Sequence, residues 1–227
     1  MAKSSKPFAL PKTALAFLAG LEKNNNKAWF TAHKPDYEEN LLEPLKFLVM
    51  GMGAAFSKKL PGLNYSPKVN GSIFRIYRDV RFSKDKRPYK TNAGVFLWVG
   101  PSAKLACPGI YFHLEAKSVM LGSGIYMISK DSIDRYRKHV AGKGTALARA
   151  ISKAEKAGFK IDGEKLKRVP AGFDPDHKYA ELLKMKGLWV GKTFPASKVT
   201  KGDLVGWLKK EYAPSLDVVK ALGKAVF

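Results

Sequence analysis

The chain has 227 residues, 45% of them hydrophobic and 11% aromatic, which is enough to bury a core and too apolar for disorder. Its 41 Lys+Arg against 19 Asp+Glu give a formal net charge of +22, a field that attracts nucleic acid, anionic lipid and phosphorylated metabolites. The single cysteine, Cys107, excludes an intramolecular disulfide and any cysteine-rich zinc site.

Residues 1–11 are basic and polar, with no signal-like apolar run, and are expected to be flexible. With one cysteine, this leads to the expectation of a cytoplasmic protein. No apolar run approaches the roughly 18–20 residues of a membrane span, so no membrane partner is expected. Residues 12–62 read as helical. Lys12–Lys23 carries Leu15, Leu18 and Leu21 at helical spacing. Asn24–Asn26 offer caps for a second helix holding Trp29 and Phe30. Pro35 opens a third, Asp36 to about Leu60, kinked or split at Pro44. Pro61-Gly62 stops it.

Residues 72–129 change to a period of two. Four strands are predicted: Ser72–Phe82, Asn92–Val99, Ile110–Ala116 and Ser118–Ile128. The short connections predict an antiparallel meander, with a looser loop over Gly100–Gly109. Residues 130–227 read as mostly helical. Ser129 or Asp131 caps a helix through Val140, and Thr145–Ala157 forms another. Phe159–Ile161 is short and extended. Asp174 or Asp176 opens a helix through Lys186, Thr200 opens one through Tyr212, and Leu216–Val226 is the last. The whole predicts one α+β domain with a central antiparallel sheet of at least four strands between N- and C-terminal helices.

Alternation sorts the strands into two faces. Phe74, Ile76, Val80 and Phe82 share one face, with Arg78 as the odd member that must find a partner. The other face collects Arg75, Tyr77, Asp79, Arg81, Phe96, Trp98, Tyr111, His113 and Glu115. Same-face neighbours on a strand lie about 7 Å apart, so an anion can accept from two arginines at once. Gly122 and Gly124 permit close approach of a ligand or another backbone. If helices cover both faces, the same residues form an internal salt-bridge network instead.

The turn between the first two strands is basic. Arg75 to Lys90 holds seven basic and two acidic residues, and Pro88 restrains Arg87 to an extended form. It is not a phosphate-binding P-loop, since no G-x-x-x-x-G-K-[ST] is present. Arg75-Ile-Tyr-Arg-Asp-Val-Arg-Phe-Ser-Lys-Asp-Lys-Arg-Pro-Tyr-Lys90 resembles the signature of the bacterial and fungal family called domain of unknown function 2461. Asn25-Asn26-Lys27-Ala28-Trp29-Phe30 is similar to its early N-N-x-x-W-F motif, with Tyr37 and Pro44 at matching offsets. Leu166 to Phe173 resembles its L-K-R-x-P-x-G-F motif, His177 follows it, and Arg137 fits an arginine after the fourth strand. The resemblance spans Phe8 to Pro214. Ala28 stands where an acid often precedes the tryptophan, and Ile128 where a proline is expected. The family implies a fold but no established activity.

Few catalytic constellations survive. Cys107 precedes Pro108 in a loop without a neighbouring histidine and reads as a passive thiol. His33, His113, His139 and His177 lack metal-ligand spacing, so no metal and no cofactor is expected. Trp29, Trp189 and Trp207 read as packing. The predicted function is anion binding: a phosphate- or carboxylate-bearing small molecule held by Arg75, Tyr77, Arg81, Lys84, Lys86, Tyr89 and Lys90. Arg137, Lys167 and Arg168 would complete the rim, and Asp79 and His113 are the acid–base candidates. Two alternatives stand beside it: a nucleic-acid-binding module using the interleaved aromatic and basic residues, and a structural domain braced by its own arginine network.

Overall fold

The computed structural model describes residues 7–101 and 103–227. Of the start expected to be flexible, residues 1–6 lie outside the described residues. Phe8 and Leu10 are pinned: Phe8 O accepts from Leu204 N and Leu10 N donates to Val199 O.

Helix α1 (Lys12–Lys23) buries Ala14, Phe17, Leu18 and Leu21, one stripe of an amphipathic helix. Asn26 caps α2 (Lys27–Ala32) by accepting from Trp29 N at 3.0 Å. The expected long third helix runs as three joined pieces, α3 (Lys34–Asp36), a π-helical stretch Tyr37–Leu42, and α4 (Glu43–Phe56). The wide turn sits just before Pro44, whose missing N–H and ring bulk prevent a regular ladder there.

Among the described residues, six strands form one antiparallel sheet: β1 (Leu63–Asn64), β2 (Asn92–Val99), β3 (Gly109–Glu115), β4 (Ser118–Ile125), β5 (Lys160–Asp162) and β6 (Leu188–Pro195). Their order is β1-β2-β3-β4-β6-β5. The fold is α+β, as expected. Strand β6 is new relative to the sequence reading. The helix expected from Asp174 to Lys186 shrinks to α7 (Ala180–Leu183). Its end is drawn into pairing instead, since Leu166 N donates to Lys184 O and Lys186 N to Glu164 O. Similarly, the helix expected from Thr200 starts later, as α8 (Leu204–Tyr212), because Gly202 turns the chain at φ 66°.

The largest correction concerns Ser72–Phe82, which is not a strand. Only its start touches the sheet: Phe96 N donates to Ser72 O and Phe74 N to Gly94 O. Beyond that the chain leaves the edge and pairs loosely with its own return, through Tyr77 and Tyr89. Pro88 has no N–H to continue a ladder. Asp79 and Asp85 also take over backbone donors locally, accepting from Arg81 N and Arg87 N two residues on. Phe82, expected on the apolar face, is 95% exposed.

The helices pack on one face of the sheet. Helices α1, α4 and α8 cover Val95, Leu97, Ile110, Phe112, Leu114, Val119 and Leu121. Helices α5 (Lys130–Lys143), α6 (Thr145–Lys156) and α9 (Leu216–Val226) cover Ile125, Leu188 and Val190. At the end of β4, Gly124 has φ 153°, and a Cβ there would stand 2.3 Å from Leu188 O and 2.4 Å from Trp189 Cα. Gly124→Ala is expected to cost about 1–3 kcal/mol, because strain adds to a backbone clash that no rotamer relieves. A shifted urea midpoint at unchanged slope is the measurement that checks it.

Candidate functional site

The face turned away from the helices is set by the strand period. It carries Phe96 and Trp98 on β2, Tyr111, His113 and Glu115 on β3, Met120 and Gly122 on β4, and Trp189 and Gly191 on β6. The predicted face of β2 and β3 is therefore the one the fold presents. A cavity of ≈ 380 Å³ lies on it, floored by Gly109 and Gly122 and walled by Phe74, Phe96, Tyr111, Met120 and Trp189.

A second cavity of ≈ 420 Å³ adjoins it and is charged, lined by Arg78, Asp79, Lys90, Asn92 and His113. Phe74 and Tyr111 line both. Lys90 Nζ donates to Arg75 O at 2.8 Å, and Lys104 Nζ donates to Gly71 O at 2.6 Å and Asn70 O at 3.1 Å. Among the described residues, neither lysine forms an ion pair. Burial lowers the pKa of both, and Arg75 and Lys104 add to the lowering at Lys90. The nearby acids are engaged elsewhere. Asp79 holds Arg81 through both carboxylate oxygens, and this lowers its pKa. Asp85 pairs with Arg87 and with Arg78 at 2.8 Å, which gives the odd arginine its partner. The cavity thus keeps positive charge that the protein does not neutralise.

Tyr111, His113, Glu115 and Ser118 form a hydrogen-bonded chain along one face. Tyr111 Oη lies 2.9 Å from His113 Nδ1, His113 Nε2 lies 3.4 Å from Glu115 Oε1, and Ser118 Oγ donates to Glu115 Oε2 at 2.7 Å. A carboxylate only accepts, so Nε2 carries the hydrogen and, in the neutral ring, Nδ1 accepts from the phenol. The Ser118 hydroxyl, with His113, holds the Glu115 carboxyl below its usual range. Burial, reinforced by Glu115, pushes Tyr111 up to about 12, so the phenol stays neutral at physiological pH. Below the sheet, Tyr212 Oη donates to Tyr111 O at 2.6 Å and fixes that strand.

Of the residues singled out from the sequence, Asp79, Lys90 and His113 line the charged cavity. Arg75 stands beside it, exposed, with its carbonyl on Lys90. Tyr77 and Tyr89 pack on Phe30, Tyr89 stacked at 4.1 Å. Arg81 and Lys84 are exposed on the loop, and Lys86 Nζ donates to Val80 O. Arg137, Lys167 and Arg168 lie outside both cavities, and Arg137 Nε donates to Leu183 O on the helix side. His177 is satisfied structurally, bonded to Ala141 O and Tyr179 N. His33 stacks on Trp29 at 4.1 Å. Sequence reasoning missed Asn92, Met120 and Trp189 as lining residues, and Lys104, which lies over the Phe74 ring outside both linings. Trp189 could have been placed by the alternation of β6 once that strand was known. Lys104 sits in a loop, where no periodicity exists to point at it.

The family model described as conserved hypothetical protein (DUF2461) matches residues 13–220. No curated protein matches the chain. Among the described residues, no helix is long and apolar enough to cross a membrane.

Proposed function

The chain belongs to the DUF2461 family, and from that premise we propose that its uncovered sheet face binds an anionic small molecule. One observation carries the reading: Lys90, at a cavity shared with Phe74, Asn92, Tyr111 and His113, has no carboxylate partner among the described residues, and Lys104, equally without one, lies over the same Phe74 ring. A half-buried ammonium held only by neutral carbonyls keeps part of its desolvation cost, and an incoming carboxylate or phosphate offsets it. Arg75 adds charge at the rim. The Tyr111–His113–Glu115 chain offers the bound molecule one route for moving a proton. Asp79, tied to Arg81, neutralises rather than reacts.

The rival structural reading requires Arg75 and Arg81 to be shut away from solvent, and both are exposed. The nucleic-acid reading draws on the loop tip, where Phe82 stands exposed beside Arg81.

Titration with inorganic phosphate, followed by amide and side-chain NMR, tests the proposal. Two charge-assisted bonds of about 1.5–3 kcal/mol each put the expected dissociation constant near the millimolar range. Shifts should cluster at Lys90, Asn92, Tyr111 and His113. Shifts scattered over surface lysines, with none at these four, would reject it.

A further inference from the structure

We infer that the ligand is a compact organic acid, with a flat apolar body in the glycine-floored cavity and a carboxylate or phosphate at its mouth. The inference rests on the anion-site reading above and adds the other half of the molecule.

The two cavities share Phe74, and both lysines lie close to its ring. Lys104 Nζ lies 4.6 Å and Lys90 Nζ 5.8 Å from the ring centroid. An apolar group in the basin against Phe74 therefore sits next to the second cavity, which Lys90 lines. An acid attached to that group extends past Phe74 toward Lys90 in the adjoining cavity.

The basin is kept open by a glycine that the fold does not need. At Gly109 a Cβ would lie 2.1 Å from Leu97 O, and at Gly191 it would lie 2.5 Å from the Trp189 ring. Gly122 is different. Its nearest neighbours would be Tyr111 Cβ at 3.5 Å and Met120 Sδ at 3.6 Å, ordinary contacts, and its φ is not positive. Glycine inside a strand weakens it, and here nothing in the packing asks for one. What the missing side chain leaves is the space above the floor.

The walls select an apolar body. Phe96, Tyr111, Met120 and Trp189 offer ring faces and a thioether, which suit a flat hydrocarbon surface. The Ser123 hydroxyl is already bonded to Ser215 Oγ at 2.8 Å, deep in the sheet. A nucleobase or sugar would bury hydrogen-bonding groups there with few partners, which disfavours it.

Calorimetry on the full chain tests the inference with four probes: 2-naphthoate, 2-naphthalenemethanol, acetate and inorganic phosphate. The expected result is that 2-naphthoate binds about tenfold or more tightly than acetate or the alcohol, since its two halves engage together. Gly122→Val should weaken 2-naphthoate about tenfold, leave phosphate unchanged, and keep or raise the unfolding midpoint. Gly122→Ala repeats the comparison with one methyl group should valine not fold. If 2-naphthoate binds no better than acetate while phosphate still binds, the inference fails and the anion site stands. If the alcohol matches 2-naphthoate, the acid is not read and the inference also fails. If no anion binds, both readings fall.

Discussion

Asn25→Ala is expected to destabilise the protein by about 2–4 kcal/mol, although Asn25 lies 64 residues from the group it holds. Its side chain pairs with the backbone of Tyr89 in both directions: Nδ2 donates to Tyr89 O at 2.9 Å, and Oδ1 accepts from Tyr89 N at 3.0 Å. Tyr89 is buried, so both backbone groups lose their partner where water is scarce, at about 1–3 kcal/mol each. Asn25→Asp separates the two bonds. The carboxylate still accepts from Tyr89 N but sets a second oxygen against Tyr89 O, so its cost should grow as pH rises through carboxylate titration. The loss should be local as well as global. Lys90 N donates to Ile76 O directly after Tyr89, so hydrogen exchange over residues 75–90 should speed up and phosphate affinity should fall with it. Unfolding within about 0.5 kcal/mol of the parent protein would show that the pairing is incidental.

That pairing explains what the sequence motifs are for. Asn25–Phe30 and Arg75–Lys90 read along the chain as two separate features. In the fold they are one unit, with Asn25 on the Tyr89 backbone and Phe30 stacked on the Tyr89 ring. No periodicity links them, since the contact depends on a chain reversal through α4 and β1. The middle of the sheet was legible for the opposite reason. Val95, Leu97, Phe112, Leu114, Val119 and Leu121 alternate with Phe96, His113 and Met120 on the other face, and a buried face enforces that register. The same alternation over Ser72–Phe82 misled, because tertiary position decides whether an alternating segment has a partner strand. Beyond Phe74 the edge of β2 ends and aspartates satisfy the backbone locally. The arginines expected to form a wall were thereby moved onto an exposed loop. Arg78 and Lys90 are the cations of that run that line a cavity with His113 and Asn92, and Arg78 is paired with Asp85.

Replacing Lys90 by methionine should separate function from stability. Phosphate affinity is expected to fall about 10- to 100-fold, the worth of one charge-assisted hydrogen bond. The folding stability should stay level or rise. Burial lowers the Lys90 pKa, with Arg75 and Lys104 adding to the effect, so the folded state disfavours its charge. The methionine keeps the apolar stem and removes that charge, although it also gives up the bond to Arg75 O. The sign with pH follows. A lysine whose folded pKa lies below its unfolded value is a cost at neutral pH, and the cost fades as pH rises through both values. The stability gap between the two proteins should therefore shrink at alkaline pH. Anion affinity of the parent protein should fall over the same range, starting below the ordinary lysine value of about 10.4. Sulfate, whose charge is fixed, is the suitable probe for that titration. A bound anion favours the ammonium, so binding on the alkaline limb should take up a proton, visible as a buffer-dependent heat. If Lys90→Met instead loses stability and keeps its affinity, the lysine braces the loop through Arg75 O, and the anion belongs elsewhere on the surface.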